Sequence, residues 1–466
     1  MTILSPDQAD FAFTVPLVIV GAGACGLTAA LAASELGAEV VVLERDPLPM
    51  GSTAMSSGMI PAAGTRIQAA KGIDDSAEIF AGDLRRKAKD KNDPAMVEVI
   101  ARASGPTVDW LAEDRGIPLE LVEGFLYPGH SRLRMHAPPG KTGQALMDAL
   151  RNAAEAAGIE ILCDAHVTAL FADETGGVHG LWYERPDGSA EDIGCDVLLL
   201  ACNGFGGNAS MVAENIPEIA NALYFGHAGN LGEGIDWGAA LGAATRDMSG
   251  YQGHGSIAHP HGIQITWALM MEGGFQVNLL GERFSNEHQG YSEQAVFVQD
   301  QPEGVVFDIY DARIHELGMT FDDYRTAFEA GAVKTGDTAE ALADATGLPA
   351  DALARTIAET QSFARGERPC PFGRDFTGQA PLAPPYYAVR VTAALLHTQG
   401  GLVVDADGRV LRPDGTALPN LFAGGGAACG VSGPHVSGYL SGNGLLTATV
   451  LGRLAGRAAA MQVLGD

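Results

Sequence analysis

The feature that constrains this chain most is a short apolar run, Leu17-Val18-Ile19-Val20, that passes directly into Gly21-Ala22-Gly23-Ala24-Cys25-Gly26 and then into a helix-like stretch from Leu27 to Leu36. Gly37 ends that stretch, and Glu39 to Leu43 makes a second strand closing on Glu44. Each glycine has a physical task in such a βαβ unit. Gly21 permits a tight turn, Gly23 lets the backbone approach a pyrophosphate, and Gly26 lets helix and strand pack closely. The helix N-terminus then offers unpaired N–H groups and a positive dipole end to the phosphates. Glu44, eighteen residues after Gly26, is placed to accept hydrogen bonds from adenosine ribose hydroxyls. The unit therefore predicts a Rossmann-type dinucleotide site.

Composition narrows what such a site serves. The 466 residues are 46% hydrophobic, enough for roughly two to four domains. Lys and Arg total 29 against 57 Asp and Glu, a formal charge of -28. A surface that acidic repels nucleic-acid backbones and anionic lipid, so neither is an expected partner. Met1 to Phe13 lacks a basic region followed by an apolar core, and no apolar run approaches roughly 18–20 residues, so a cytoplasmic protein is expected. Six cysteines (Cys25, Cys163, Cys195, Cys202, Cys370 and Cys429) show no CxxC spacing and read as free thiols, with no metal or iron–sulfur site.

Glycines cluster at the ends of apolar runs, and strands alternate with helix-like segments through the first 240 residues or so, as parallel βαβ units require. From Met248 to Ala394 the texture changes. That stretch carries His254, His259 and His261, read as a solvated or structural loop, and a polar helical part from Asp322 to Arg365. The glycine-rich texture returns at Leu395. The expected fold is α/β: a Rossmann-type domain over 1–247 and 395–466, with an α+β capping domain inserted at 248–394.

Several further segments carry a family resemblance. Gly51-Ser52-Thr53-Ala54-Met55-Ser56-Ser57-Gly58 resembles the second cofactor loop of the fumarate reductase, succinate dehydrogenase and 3-ketosteroid dehydrogenase flavoprotein superfamily. Val197 to Asn208 is similar to its strand and glycine turn, Gly232-Glu233-Gly234 to its GDG segment, Leu396 to Leu402 to its HTMGG signature, and Leu421 to Asn443 to its flavin-closing segment. The resemblance implies FAD, held by Gly21, Ala22, Gly23, Cys25, Gly26, Glu44 and Arg45; by Gly51, Ser52, Thr53, Ser57 and Gly58; by Val167, Asn203 and Gly204; and by Gly425, Gly426, Ser441, Asn443 and Leu445. Gly426 departs from the pattern, since the family often has Glu there. No histidine sits between Gly51 and Gly58, where succinate dehydrogenases attach their flavin, so noncovalent FAD is expected. No second strand–GxGxxG–helix offers an NAD(P)H site. Electrons are then exchanged with the substrate and with oxygen, a quinone or a carrier protein.

The resemblance also implies where the chemistry sits, between flavin and cap. His397 falls on the fumarate reductase histidine that contacts a substrate carboxylate; it suits a ketone oxygen equally. Gly281 to Glu287 resembles the G-x-RF-x-NE segment. Four residues on, where fumarate reductases place a proton-delivering arginine, stands Tyr291. Ketosteroid dehydrogenases have a tyrosine in that region, and a phenol of pKa about 10, lowered by its neighbours, suits exchange with an enolisable carbon. The second fumarate reductase arginine aligns near Tyr439, and its absence argues against dicarboxylates. His435 and Tyr439 are candidate pocket residues. Tyr127 resembles a supporting tyrosine, and Arg132 or Arg134 is a candidate carboxylate anchor. The expected reaction is α,β-dehydrogenation of a small ketone, cyclic ones included, such as an oxocyclohexane carboxylate or a ketosteroid-like compound. Alternatives are reduction of an unsaturated carboxylate or enone, and a flavin-binding electron-transfer subunit with no substrate of its own.

Overall fold

The structure, a computed structural model, describes residues 2–465. The apolar run forms the end of the strand Thr14–Val20, where Leu17 to Val20 are at most 6% exposed. Val40–Leu43 and Ala190–Leu200 flank it in parallel, in register so that Leu17 faces Val40 and Val197, and Ile19 faces Val42 and Leu199. A parallel strand covered on both faces must be apolar in both directions, hence the unbroken run. Ala190–Leu200 is the hub. It pairs along one edge with Thr14–Val20, and along the other with Val178–Glu184 and then Ala417–Ala423. Among the described residues this sheet has nine strands, completed by Thr2–Leu4, His166–Ala172, Glu160–Leu162 and Arg409–Leu411.

Parallel βαβ pairing covers only part of this sheet. His166–Ala172, Val178–Glu184 and Ala190–Leu200 form an antiparallel meander. Their connections turn at Gly176 and Gly188, with φ of 81° and 82°. Turns that short join antiparallel neighbours and leave no room for a crossover helix.

The helix Ala24–Glu35 opens at the glycine turn and packs on the last helix, Asn443–Leu464. Their approach depends on missing side chains. A Cβ at Gly452 would fall 2.6 Å from the Cys25 carbonyl oxygen, and one at Gly456 would collide with the carbonyl of Ala29.

Among the described residues a second sheet, of seven strands, is built around the long strand Tyr386–Thr398. Tyr251–Ala258 and Val305–Asp311 flank that strand in antiparallel pairing. Helices Asp322–Glu329, Ala339–Thr346 and Ala350–Ala364 supply the helical part expected between Asp322 and Arg365, interrupted by the strand Val333–Gly336. We propose that this sheet marks the inserted unit. Leu223–Tyr224 joins it from before position 248, and Tyr386–Thr398 continues beyond 394 to return His397 toward the first sheet.

The glycine contact between first and last helices yields a test. Gly456→Ala should cost the apoprotein about 1–3 kcal/mol, because neither backbone can yield. At Gly82, inside Ala77–Lys87, a Cβ meets nothing within 4 Å, so Gly82→Ala should stabilise by about 0.5–1 kcal/mol. Urea midpoints of the two variants, at unchanged slope, measure the contrast.

Candidate active site

One cavity draws its walls from both sheets and from the loops between them. At one end it meets the glycine turn. Gly21, at φ 102°, bends under Ala201, and a Cβ on Gly26 would collide with the Gly21 carbonyl. At Gly23 a Cβ would meet no protein atom nearer than Thr53 Oγ1, at 3.6 Å. The space in front of Gly23 is thus open, as a pyrophosphate lying against the backbone requires. Glu44 is buried and accepts from Ala22 N (2.9 Å) and Asp46 N (3.1 Å). Burial raises its pKa, those two N–H groups oppose the rise, and lone pairs remain for ribose hydroxyls. Arg45 donates to the Gly229 carbonyl and faces His166 and Glu233. Ser52 Oγ accepts from His227 N (2.9 Å) and Asn230 Nδ2 (2.7 Å), tying the Gly51–Ala54 turn to the segment before Glu233.

Most of the expected cofactor residues line this cavity: Gly21, Gly23, Cys25, Glu44, Arg45, Gly51, Ser52, Thr53, Ser57, Val167, Asn203, Gly425, Gly426, Ser441 and Leu445. Five stand behind the wall. Ala22 gives its N–H to Glu44, Gly26 packs on Gly21, Gly58 on Thr142, Gly204 on Thr398, and Asn443 is fully buried against Ser432. They shape the cradle without facing its interior. His166, His227, Asn230 and Glu233 line it as well, and the first three were not foreseen. Their chain segments carry no glycine motif of their own; only the Gly232-Glu233-Gly234 resemblance pointed there.

The other end of the cavity is aromatic. Gly290, at φ 137°, a conformation that favours glycine, opens the helix Tyr291–Gln299 and sets Tyr291 on its first turn. The Tyr291 ring stacks on His254 (centroids 4.9 Å, 25°) and meets Trp267 and Tyr439 edge-on, both at 6.2 Å. His397 meets Tyr439 at 5.6 Å, and Tyr127 completes the group. Behind Tyr291, Glu287 is buried between Arg283 (2.5 Å) and Arg374 (3.0 Å). Burial would raise its pKa, but the two guanidinium groups outweigh that and hold it at about 2.

Burial pushes the Tyr291 hydroxyl above the ordinary phenol range, and the donors of Ser441, Tyr439 and Gly442 N only partly oppose it. The expectation of a lowered pKa is thereby reversed: the walls exclude the water that would solvate a phenolate. Burial also lowers His254 to about 3 and His397 to about 4, so both imidazoles are neutral at pH 7. The Tyr439 hydroxyl lies 3.4 Å from Gly444 N, on the first turn of the last helix.

Tyr291, Tyr439, Tyr127 and His397 thus meet as expected. His435 does not: it is exposed and lies off the cavity wall. Arg134 is buried but holds Asp75 (2.8 Å) and Asp83 (2.5 Å), so its fork is already occupied, and Arg132 is exposed against the Asp74 carbonyl. Neither lines the cavity, so neither is placed to anchor a substrate carboxylate. His254 is buried on a strand and lines the cavity, apart from the exposed His261, which corrects its reading as part of a solvated or structural loop. The available signal was the Gln252–His254 spacing, which puts both side chains on one face of the strand Tyr251–Ala258.

A dinucleotide cradle at one end of a cavity and proton-bearing aromatic side chains at the other define an oxidoreductase working through a bound flavin nucleotide. Residues 17–445 match the family model described as FAD binding domain, and the chain belongs to that family. FAD is its cofactor, and the chain is an FAD-dependent oxidoreductase of the fumarate reductase and succinate dehydrogenase flavoprotein superfamily. It is 28% identical to a fumarate reductase (cytochrome) of Shewanella frigidimarina, over 96% of this chain and 77% of the relative. A solved open conformation of a flavocytochrome c3 fumarate reductase superposes with TM-score 0.82 at 28% identity, covering 98% of this chain and 80% of that one. The fold is shared with 3-ketosteroid-delta4-(5alpha)-dehydrogenase of Rhodococcus jostii, at TM-score 0.76 and 24% identity, covering 99% of this chain and all of that one. Among the described residues no helix is long and apolar enough to cross a membrane.

The open space at Gly23 gives a separable prediction. Gly23→Val should leave the apoprotein's unfolding midpoint unchanged, since the nearest atom is a side-chain hydroxyl, yet abolish FAD retention on desalting. A variant that kept its yellow colour would place the pyrophosphate elsewhere.

Proposed function

We propose that the enzyme desaturates a neutral, ring-shaped ketone between the carbons α and β to its carbonyl. One observation carries this reading: among the described residues, Arg45 is the only Lys or Arg lining the cavity, and it lies at the nucleotide end beside Glu233. The aromatic end offers neutral donors only. A carboxylate brought there would be stripped of water with no cation to receive it, a cost of several kcal/mol. This argues against fumarate, succinate and an oxocyclohexane carboxylate alike. Flat walls from Trp267, Tyr127 and Tyr439 suit a ring.

The roles follow from placement. Gly444 N and the His397 ring lie together beside Tyr439, and hydrogen bonds from these two N–H donors to a ketone oxygen would acidify the α-carbon. Tyr291 exchanges the α-proton, with Ser441, Tyr439 and Gly442 N as the groups that stabilise its oxygen. His254, stacked on Tyr291, holds that ring in place and closes the site. Bound FAD supplies the two-electron acceptor for the hydride of the β-carbon. Oxygen, a quinone or a carrier protein would be the final electron acceptor.

A second reading, reduction of a neutral enone by the same residues in reverse, is favoured by the raised pKa of Tyr291, which keeps the proton on the phenol, and by the relative named as a fumarate reductase. Anaerobic mixing separates the readings. Cyclic ketones should bleach the oxidised enzyme. Reoxidation of the reduced enzyme by enones, with no bleaching by ketones, would favour the reverse reaction. A response to unsaturated acids alone would overturn the neutral-substrate reading, and silence throughout would indicate an electron-transfer subunit. With a reactive ketone, Tyr291→Phe should slow flavin reduction by about 10²–10⁴-fold with little change in binding. A wild-type rate in that variant would reduce Tyr291 to packing.

A further inference from the structure

His397 presents Nε2 toward the first turn of the last helix: a Cβ placed on Gly444 would fall 2.6 Å from it. Among the described residues Nε2 has no hydrogen-bond partner, whereas Nδ1 has two neighbours of opposite character. The Thr398 carbonyl, at 3.2 Å, calls for a proton on Nδ1, and the Gln399 amide nitrogen, at 3.1 Å, calls for a lone pair there. Which neighbour prevails decides whether Nε2 can donate to a ligand.

The choice is settled further back. Asn443 Nδ2 donates to Ser432 Oγ (2.9 Å), which leaves the Ser432 proton to donate to Gln399 Oε1 (2.6 Å). With its oxygen so engaged, Gln399 points its amide N–H at His397 Nδ1. All three relay residues are buried, and Ser432 and Asn443 stand off the cavity wall, so the far end of the relay is shielded from the cavity. Reversing the chain would turn the Asn443 amide and strand its N–H pair without an acceptor. As built, only Asn443 Oδ1 lacks a partner. Buried donors without acceptors are rarer than the converse. We propose that Gln399, Ser432 and Asn443 are positioning residues, a directional hydrogen-bond relay that keeps the His397 proton on Nε2 so that the ring donates to an uncharged oxygen of the substrate. The substrate's identity as a carbonyl compound rests on the function proposed above; the tautomer does not.

The relay explains why a histidine in this position serves a ketone. Burial holds the ring neutral, and a neutral imidazole can donate from only one nitrogen. A relay of the opposite polarity would turn a lone pair toward the substrate oxygen and repel it. Gln399 stands where the HTMGG signature has methionine, a residue that fills similar space and cannot donate to Nδ1.

Holoenzyme labelled with ¹⁵N-histidine, its His397 signals identified by their loss in His397→Asn, reports which ring nitrogen carries the proton. The wild type should show Nε2–H. Gln399→Met should shift His397 toward the Nδ1–H form, now free to donate to Thr398, and Gln399→Glu should do so more completely. In Gln399→Met, KM for a ketone that bleaches the wild type should rise about tenfold, the value of one hydrogen bond to an oxygen. An Nδ1–H wild type overturns the relay, as does an Nε2–H form that persists in both variants. A tautomer that shifts as expected without any change in KM leaves the relay standing and overturns the assignment of His397 to the carbonyl.

Discussion

The site depends on the contact between the first and last helices. Gly452 and Gly456 let the backbone of Asn443–Leu464 lie directly on Cys25 and Ala29, with no side chain between. Two segments more than four hundred residues apart in the chain are thereby held as one body. The glycine turn at Gly21 to Gly26 and the turn that opens the last helix at Gly442 then face a single cavity. Packing density makes such a contact intolerant of even one methyl group, and it propagates to both turns because each is the first turn of a packed helix.

The second organising element is the strand Tyr386–Thr398. It is the centre of the second sheet and ends in the cavity wall at His397, so the two sheets meet through a covalent path as well as across the cavity. Tyr291 arrives by another route, at the start of a helix packed on Tyr251–Ala258, which itself carries His254. The side chains at the aromatic end of the cavity are therefore borne on strands and helix termini, and loops contribute mainly Tyr127 and Tyr439. Such placement favours precision over adaptability.

The nucleotide end was legible in the sequence because its constraints are local. An apolar strand, three spaced glycines and an acid at the next strand's end all lie within thirty residues, and the structure uses each of them. Tyr291, Tyr439, Tyr127 and His397 were legible through motif resemblance. What escaped depends on distant partners. Arg134 is taken up by Asp75 and Asp83, 59 and 51 residues upstream, and nothing near it in the chain announces that pairing. His254 lies on a strand buried along its whole length, so the alternation that marks a half-buried strand is missing. His435 failed for the opposite reason: its loop reaches the site, but a neighbour four residues away along a turn can face solvent while Tyr439 faces the cavity. The meander that replaced a parallel unit was written in its turns, where Gly176 and Gly188 sit between strands too closely spaced for a helix.

The double engagement of Ser52 bears on how the cofactor comes and goes. Its hydroxyl oxygen already holds His227 N and Asn230, and the Thr53 hydroxyl accepts from Ala24 N (3.2 Å) at the start of the first helix. The loop around the diphosphate region is therefore shaped by the protein's own bonds. A ligand entering a cradle that is already ordered forfeits little chain entropy, so affinity is governed by contacts made and water displaced. Preorganisation of this kind lets a substitution at Ser52 or Thr53 act on cofactor affinity through the shape of the loop as well as through any direct contact.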